Sequence, residues 1–534
     1  MDTKSILPLD GGACTLAGIR ADGVNGAPGP HGAHPIPATR WLAIAAAVAL
    51  ATACGGGGGS GSAPTPTPPA PSTTQVSAAS TLSSNCGLAV ANTAASPPEA
   101  YTLNSAVQPQ LAANPANPQT LYGLFEQDRW DAIGTRAISF SSSSNGGVTW
   151  SAISALPFSA CGGGSGPGVA YDRASDPSIA VGQGGTVFAS ALAFSAAGFL
   201  AAGGKTAVLV SRSTDGGATW QAPTVAISGV GTVAGPNTFN DRDAIAADPN
   251  GPDVYLVWDQ LNSVTTASVP TYLAHSGDSG ATWSTASIIY LPSSGQTFNN
   301  QPSVLPNGHV VNVFTVVGGF SAQQLLAIRS TDHGTTWLPS AGVVIAPLAP
   351  VGTANPIVGG APIRDSFLMA QTAVDPVNGT LAAVWQDGTP SGGARDGIVM
   401  SLSHDEGATW STPVQVNTVP AVAAFNPTVH FGANGRIAVT YYDFRDYASG
   451  STTLSTSLWL RESADGGVTW TEKRLYGPFD LNSAARADQS AGSTGNALFL
   501  GDQQGLAWTG VAWAALFAAT NSQGPRVFGG VLPP

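Results

Sequence analysis

Ser276-Gly-Asp278-Ser-Gly280-Ala-Thr282-Trp283 decides the fold, because the pattern Ser-x-Asp-x-Gly-x-Thr-Trp recurs along the chain. Copies stand at Ser143 to Trp150 (with Asn145 in the acidic place), Ser213 to Trp220, Ser330 to Trp337, Ser403 to Trp410 and Ser463 to Trp470. The third positions are 145, 215, 278, 332, 405 and 465, an irregular but sustained period. Each copy reads as a turn. The Ser and Asp side chains can accept nearby backbone N–H groups, and Gly supplies an angle that most residues avoid. Thr then re-enters a strand, and Trp brings a large apolar face to bury.

A second repeat precedes each turn, in which a polar residue opens an apolar strand, a short turn follows and a second apolar strand ends in polar residues. The starters are Gln108, Asp176, Asp243, Gln301, Gln371, Asn426 and Asp502. Each unit therefore predicts four strands with the box between the third and fourth, which is one blade of an all-β propeller. The last unit, from Asp502, has room for only three strands, and an N-terminal strand near Ala100 to Leu103 is expected to complete it. Seven blades follow, with six and an irregular cap as the alternative.

Composition agrees. Charged residues are 9% of the 534, and Gly (66) and Pro (40) are frequent, which excludes coiled coils and helical solenoids. The formal net charge is −12 and no basic block exists, so neither nucleic acid nor an anionic membrane surface is an expected partner. Neither a metal-binding spacing nor a cofactor fingerprint is visible. A monomer is expected.

The repeated turns resemble the Asp boxes of bacterial neuraminidase repeats, so residues 100–534 are similar to the sialidase superfamily. That resemblance implies an exo-acting glycoside hydrolase for terminal sialic acid or a related acidic sugar. Two departures stand out: sialidases have six blades, and their early Phe/Tyr-Arg-Ile-Pro motif is absent. Pro362-Ile-Arg364-Asp365 has the wrong order and lies too late. Asp boxes also occur in non-catalytic propellers, so two alternatives stay open, a surface module that binds glycan or protein and a glycosidase or lyase for another acidic polysaccharide.

Topology places the boxes at one end of the ring and the strand-one starters at the other, where rare charged residues collect. Arg242, Arg173, Arg364 and Arg445 are candidates to bind an acidic sugar, since Arg binds carboxylates bidentately. Asp259, Asp443 and Asp502 join them as binding residues. Asp243 and Asp176 are the acid/base candidates, with Glu126 notable because the chain has only five Glu. Sialidases use Tyr as nucleophile, which the resemblance carries to Tyr442 or Tyr441; adjacent strand residues face opposite sides, so only one can face the pocket. Trp258, beside Asp259, is expected to stack on a sugar ring.

The N-terminus reads as an address. Arg40 precedes an apolar run from Trp41 to Ala53, too short to span a bilayer. Because Ala51-Thr52-Ala53 leads into Cys54, residues 1–54 resemble a bacterial lipoprotein signal with Cys54 acylated; an ordinary cleaved signal is the alternative. Residues 55–85, Gly/Ser-rich then Pro/Thr-rich, read as a linker, and 86–534 as the propeller. An exported, lipid-anchored protein is implied, with Cys86 and Cys161 left to pair as a disulfide in an oxidising compartment.

Overall fold

The structure, a computed structural model, describes residues 69–87, 99–165, 171–195, 205–225, 238–262, 268–318, 323–487 and 496–534. The lipoprotein-like segment with Cys54 and most of the linker lie outside them. Among the described residues there is no α-helix, and the strands form antiparallel sheets apart from one short parallel pair, Ile363–Arg364 with Ala497–Phe499.

Six four-stranded sheets follow in chain order, their first strands being Ala106–Asn114, Arg173–Val181, Thr238–Ala247, Gln296–Val304, Gln371–Val374 and Ala424–Phe431. The first two join through the single pairing Thr135↔Ala174. A seventh sheet holds Gly505–Trp508, Trp513–Asn521 and Gly524–Leu532, and its fourth strand comes from the other end of the chain, Ser72–Gln75 against Phe528 to Val531. The expected closing strand near Ala100 to Leu103 is therefore corrected. Tyr101 makes only an isolated bridge with Trp130, and the true closing strand lies inside the span 55–85 read as linker. Its sequence, Ser-Thr-Thr-Gln, is short and polar because an outermost strand buries little.

The first strands of successive sheets pack on one another, and that of the seventh sheet packs on that of the first, so the sheets close a ring. Apolar clusters fill the seams. Phe188, Val208 and Trp258 pack between the second and third sheets, and Tyr255, Leu273, Phe314 and Trp337 between the third and fourth.

The repeated turns sit between third and fourth strands. At Asp278 the carboxylate accepts the Thr282 N–H at 2.8 Å, the Thr282 hydroxyl at 2.6 Å and the Ser276 hydroxyl at 2.8 Å. The Thr282 contacts lead in holding its pKa down to about 2. Such a carboxylate has its lone pairs committed to its own turn. Cys86 and Cys161 are joined by a disulfide that ties the N-terminal segment to the loop after the first sheet. Arg136, buried against Asp128 at 2.9 Å, also bonds the Ser83 and Cys86 carbonyls of that segment.

Candidate active site at the ring axis

The innermost strands share a local irregularity that builds the site. Gln108, Asp176, Arg242, Asn299 and Asn426 have φ between +49° and +56°, each beside a break in strand register. A bulge inserts one residue, bends the strand and re-aims a side chain. Here it turns one polar residue in each of these five sheets toward its neighbour. Gln108 Nε2 donates to Asp176 Oδ1 at 2.5 Å, Asn299 Nδ2 to the Ala370 carbonyl at 2.8 Å and Asn426 Nδ2 to the Gly501 carbonyl at 2.6 Å. In the seventh sheet's approach Gly501 takes this place with φ +110°. A Cβ there would lie 2.3 Å from Gln108 Cα, so only glycine fits.

Arg242 is the centre of the arrangement. Its Nη1 meets Asp176 Oδ1 at 3.2 Å and its Nη2 meets Asp502 Oδ2 at 2.6 Å, linking the third sheet to the second and across the ring to the segment before the seventh. Arg364 adds a second guanidinium to Asp502, with Nη2 at 3.0 Å. It is placed there by a small three-stranded sheet, Ile363–Arg364, Ala497–Phe499 and Ala485–Ala487, in which Arg364 lies opposite Phe499. Phe499 takes a guanidinium from Arg364 at 5.0 Å and another from Arg129 at 4.9 Å.

Electrostatics divide the carboxyls. Burial alone would raise Asp502, but Arg242 and Arg364 hold it down to about 2. Burial pushes Asp241 up to about 6, with Arg242 opposing and Asp176 adding to the rise. Asp243 and Asp259 are raised well above the usual carboxylate range, burial being the main cause in each; Glu126 is raised by burial against the pull of Arg129. Environments that pull neighbouring carboxyls apart in acidity supply an acid and an ionised partner side by side. Arg364, whose side chain keeps 23% of its surface, and Asp176 with 11% give the cluster its opening to solvent.

The sequence-selected residues divide accordingly. The structure brings together Arg242, Arg364, Asp176, Asp243, Asp259, Asp502 and Glu126. Within this group Asp243 turns toward the second sheet, where the Ser190 hydroxyl donates to it at 2.6 Å. Glu126 accepts from Arg129 at 3.0 Å and from Ser175 at 2.8 Å.

Four expectations need correction. Arg173 is consumed by Glu99 through two contacts of 2.6 Å and stacks on Trp130 at 4.4 Å, so it serves no ligand at the axis. Arg445 bonds Asp443 and Glu472, each at 2.6 Å, and lies 3.8 Å over Trp459, forming a separate cluster with Tyr441, whose hydroxyl donates to Glu472. Tyr442 is buried among Phe425 and Phe479, and its hydroxyl donates to the Ala518 carbonyl at 2.6 Å. Neither Tyr reaches Arg242, so neither is placed as a nucleophile there, and burial leads the upward shift of both phenols. Trp258 is wholly buried against the second sheet and offers no face to a sugar.

Asp241 is not among the residues the sequence singles out, although it stands beside Arg242; the fold shows that it precedes the bulge and lies directly opposite Asp259 in the strand pair. Among the described residues no group of metal-ligating side chains is found.

No family model matches the chain, and no curated protein matches it. Solved structures do resemble it. A Hadza microbial sialidase is 14% identical over 82% of this chain and 92% of its own, with a TM-score of 0.42. An α-L-arabinofuranosidase from Fusarium graminearum is 16% identical over 64% and 89%, with a TM-score of 0.42. An ulvan lyase of a polysaccharide lyase family is 11% identical over 67% and 82%, with a TM-score of 0.41. At such identities and scores the likeness says nothing of the reaction.

Proposed function

We propose that the ring is a seven-bladed β-propeller of sialidase-like type, its repeated turns being Asp boxes, and that it is a glycoside hydrolase whose active site is the axial carboxyl cluster. The observation that carries this reading is Asp241, a carboxyl poised near 6 beside Asp176, which Gln108 and Arg242 hold as an acceptor. Asp241 donates a proton to the leaving glycosidic oxygen, and Asp176 faces the sugar as base or nucleophile.

The first substrate class is a terminal acidic sugar, sialic acid or a relative, held through the exposed part of Arg364. A neutral sugar is the second reading, favoured because each guanidinium of the cluster, Arg129, Arg242 and Arg364, already meets a carboxylate. Export and lipid anchoring at Cys54 belong to the same proposal and rest on the sequence pattern.

A panel of fluorogenic sialosides, uronides and neutral furanosides and pyranosides, run with wild type and Asp241→Asn, tests the reading. Hydrolysis of one class is expected, with kcat lowered roughly 10²- to 10⁴-fold in the variant, the usual worth of a positioned acid. Binding without turnover across the panel would instead mark a glycan-binding module.

A further inference from the structure

We infer that Asp259 is a positioning residue for Asp241: the two carboxyls form one proton-sharing pair across their strands, and Asp259 holds the proton from the buried side. This rests on the role proposed for Asp241 only for its use in catalysis; the pair itself follows from the geometry.

Asp241 and Asp259 are directly opposed in the third sheet, which places their Cβ atoms about 4.5–5.5 Å apart. Asp259 has no exposed surface. One of its oxygens, Oδ2, accepts from Asn300 Nδ2 at 3.0 Å. That amide cannot be turned round, because Asn300 Oδ1 accepts from Asn312 Nδ2 at 2.8 Å and from Thr271 Oγ1 at 3.1 Å. The Asn299 backbone N–H also bonds Asp259. The other oxygen, Oδ1, is buried with no hydrogen-bond partner among the described residues.

Among the described residues no cation bonds either carboxyl. The charged groups that act on Asp241 include Arg242, Asp176, Arg364 and Asp502, with Asp243 a further carboxyl that feels it, and those on Asp259 include Asp241 and Arg242. Arg242 is already bonded to Asp176 and Asp502. Two ionised carboxylates facing each other in a dry seam would cost several kcal/mol each in lost hydration. One proton between them removes one of the two charges and spreads the other over a charge-assisted O–H···O bond, the strong kind. Asp259 cannot touch a substrate, so its influence passes through Asp241. When Asp241 gives its proton to a leaving oxygen, the water that completes hydrolysis supplies the replacement, and the pair returns to its starting state.

The test is a carboxyl titration by ¹³C NMR on protein labelled at Asp Cγ, comparing wild type, Asp259→Asn and Asp241→Asn, with near-ultraviolet circular dichroism to confirm folding. Wild type should lose the pair's two protons in separate steps, that of Asp241 near 6 and that held by Asp259 at higher pH. Each variant should lose its single proton at an intermediate pH, displaced by more than about one unit from the wild-type step. Steps in the two variants that coincide with those of wild type would show independent groups and overturn the inference, as would two ionised carboxylates in wild type at pH 7. Titration needs no substrate, so a coupled pair in an inactive protein would sink the glycosidase reading alone.

Discussion

Replacing Asp241 by Asn should stabilise the protein at neutral pH, and the size of the gain can be worked out. The unfolded carboxyl titrates near 3.8 and the folded one near 6. Between those values the unfolded chain has lost its proton while the folded one keeps it, so stability falls as pH rises from about 4 to 6. The full difference is about 3 kcal/mol at 1.36 kcal/mol per unit. Asn carries no charge at any pH and escapes this loss. For the compact unit Thr65–Pro534, an unfolding entropy near 2.1 cal/mol/K per residue totals about 1 kcal/mol/K, so the gain in Tm is roughly 3 °C. Differential scanning calorimetry at pH 7.5 and pH 4.5 reads it directly. The variant should melt about 3 °C higher at pH 7.5 and no higher than wild type at pH 4.5. Equal melting at both pH values would refute the placement of a strained carboxyl at this position. Asp502 has the opposite sign. Its folded pKa of about 2 adds roughly 2–3 kcal/mol that is present above pH 4 and lost as pH falls toward 2. A site that keeps Asp241 despite its cost behaves as functional sites do.

Further outcomes follow from the packing. Tyr442→Phe removes a buried bond to the Ala518 carbonyl and should cost about 1–3 kcal/mol by chemical denaturation while leaving turnover per folded molecule unchanged; a stable but inactive variant would restore Tyr442 to the chemistry. Trp337→Ala empties the seam between the third and fourth sheets and loses the Nε1 bond to Gly334 at 3.0 Å, for about 3–5 kcal/mol. Any fall in activity there should track unfolding. Cys161→Ser opens the disulfide to Cys86 and should cost about 2–5 kcal/mol, and non-reducing peptide mapping of wild type should recover the two cysteines in one linked fragment.

Much of the architecture was legible because the turn residues have narrow physical roles. Ser276, Asp278, Gly280 and Thr282 bond one another within a single turn, so their spacing survives any change in the loops between repeats. The closing strand was not legible. Ser72–Gln75 alternates half-buried with exposed residues and carries no apolar face, so nothing local separates it from a linker. The charged residues of the axis stood out because they interrupt apolar strands, yet their partners did not. Arg173 and Arg445 look like Arg242 in sequence, and only folding reveals that Glu99 and Glu472 consume them. Tyr441 and Tyr442 failed for a related reason. A phenol that reaches a carbonyl across a sheet seam has the same letter as one that faces solvent. The bulges did leave a trace, in Gln108-Pro109, Asp176-Pro177 and Asn426-Pro427, where a polar residue before proline recurs at the same point of three repeats.

The pH–rate profile of the wild-type protein, on whichever glycoside of the panel it cleaves, tests the role of Asp241 most directly. If Asp241 is the proton donor, kcat/KM holds steady just below about 6 and falls tenfold per unit above it, the pH at which the loss of stability is complete. Activity that stays flat or rises between pH 6 and 8 would contradict that assignment and place the acid of the reaction elsewhere.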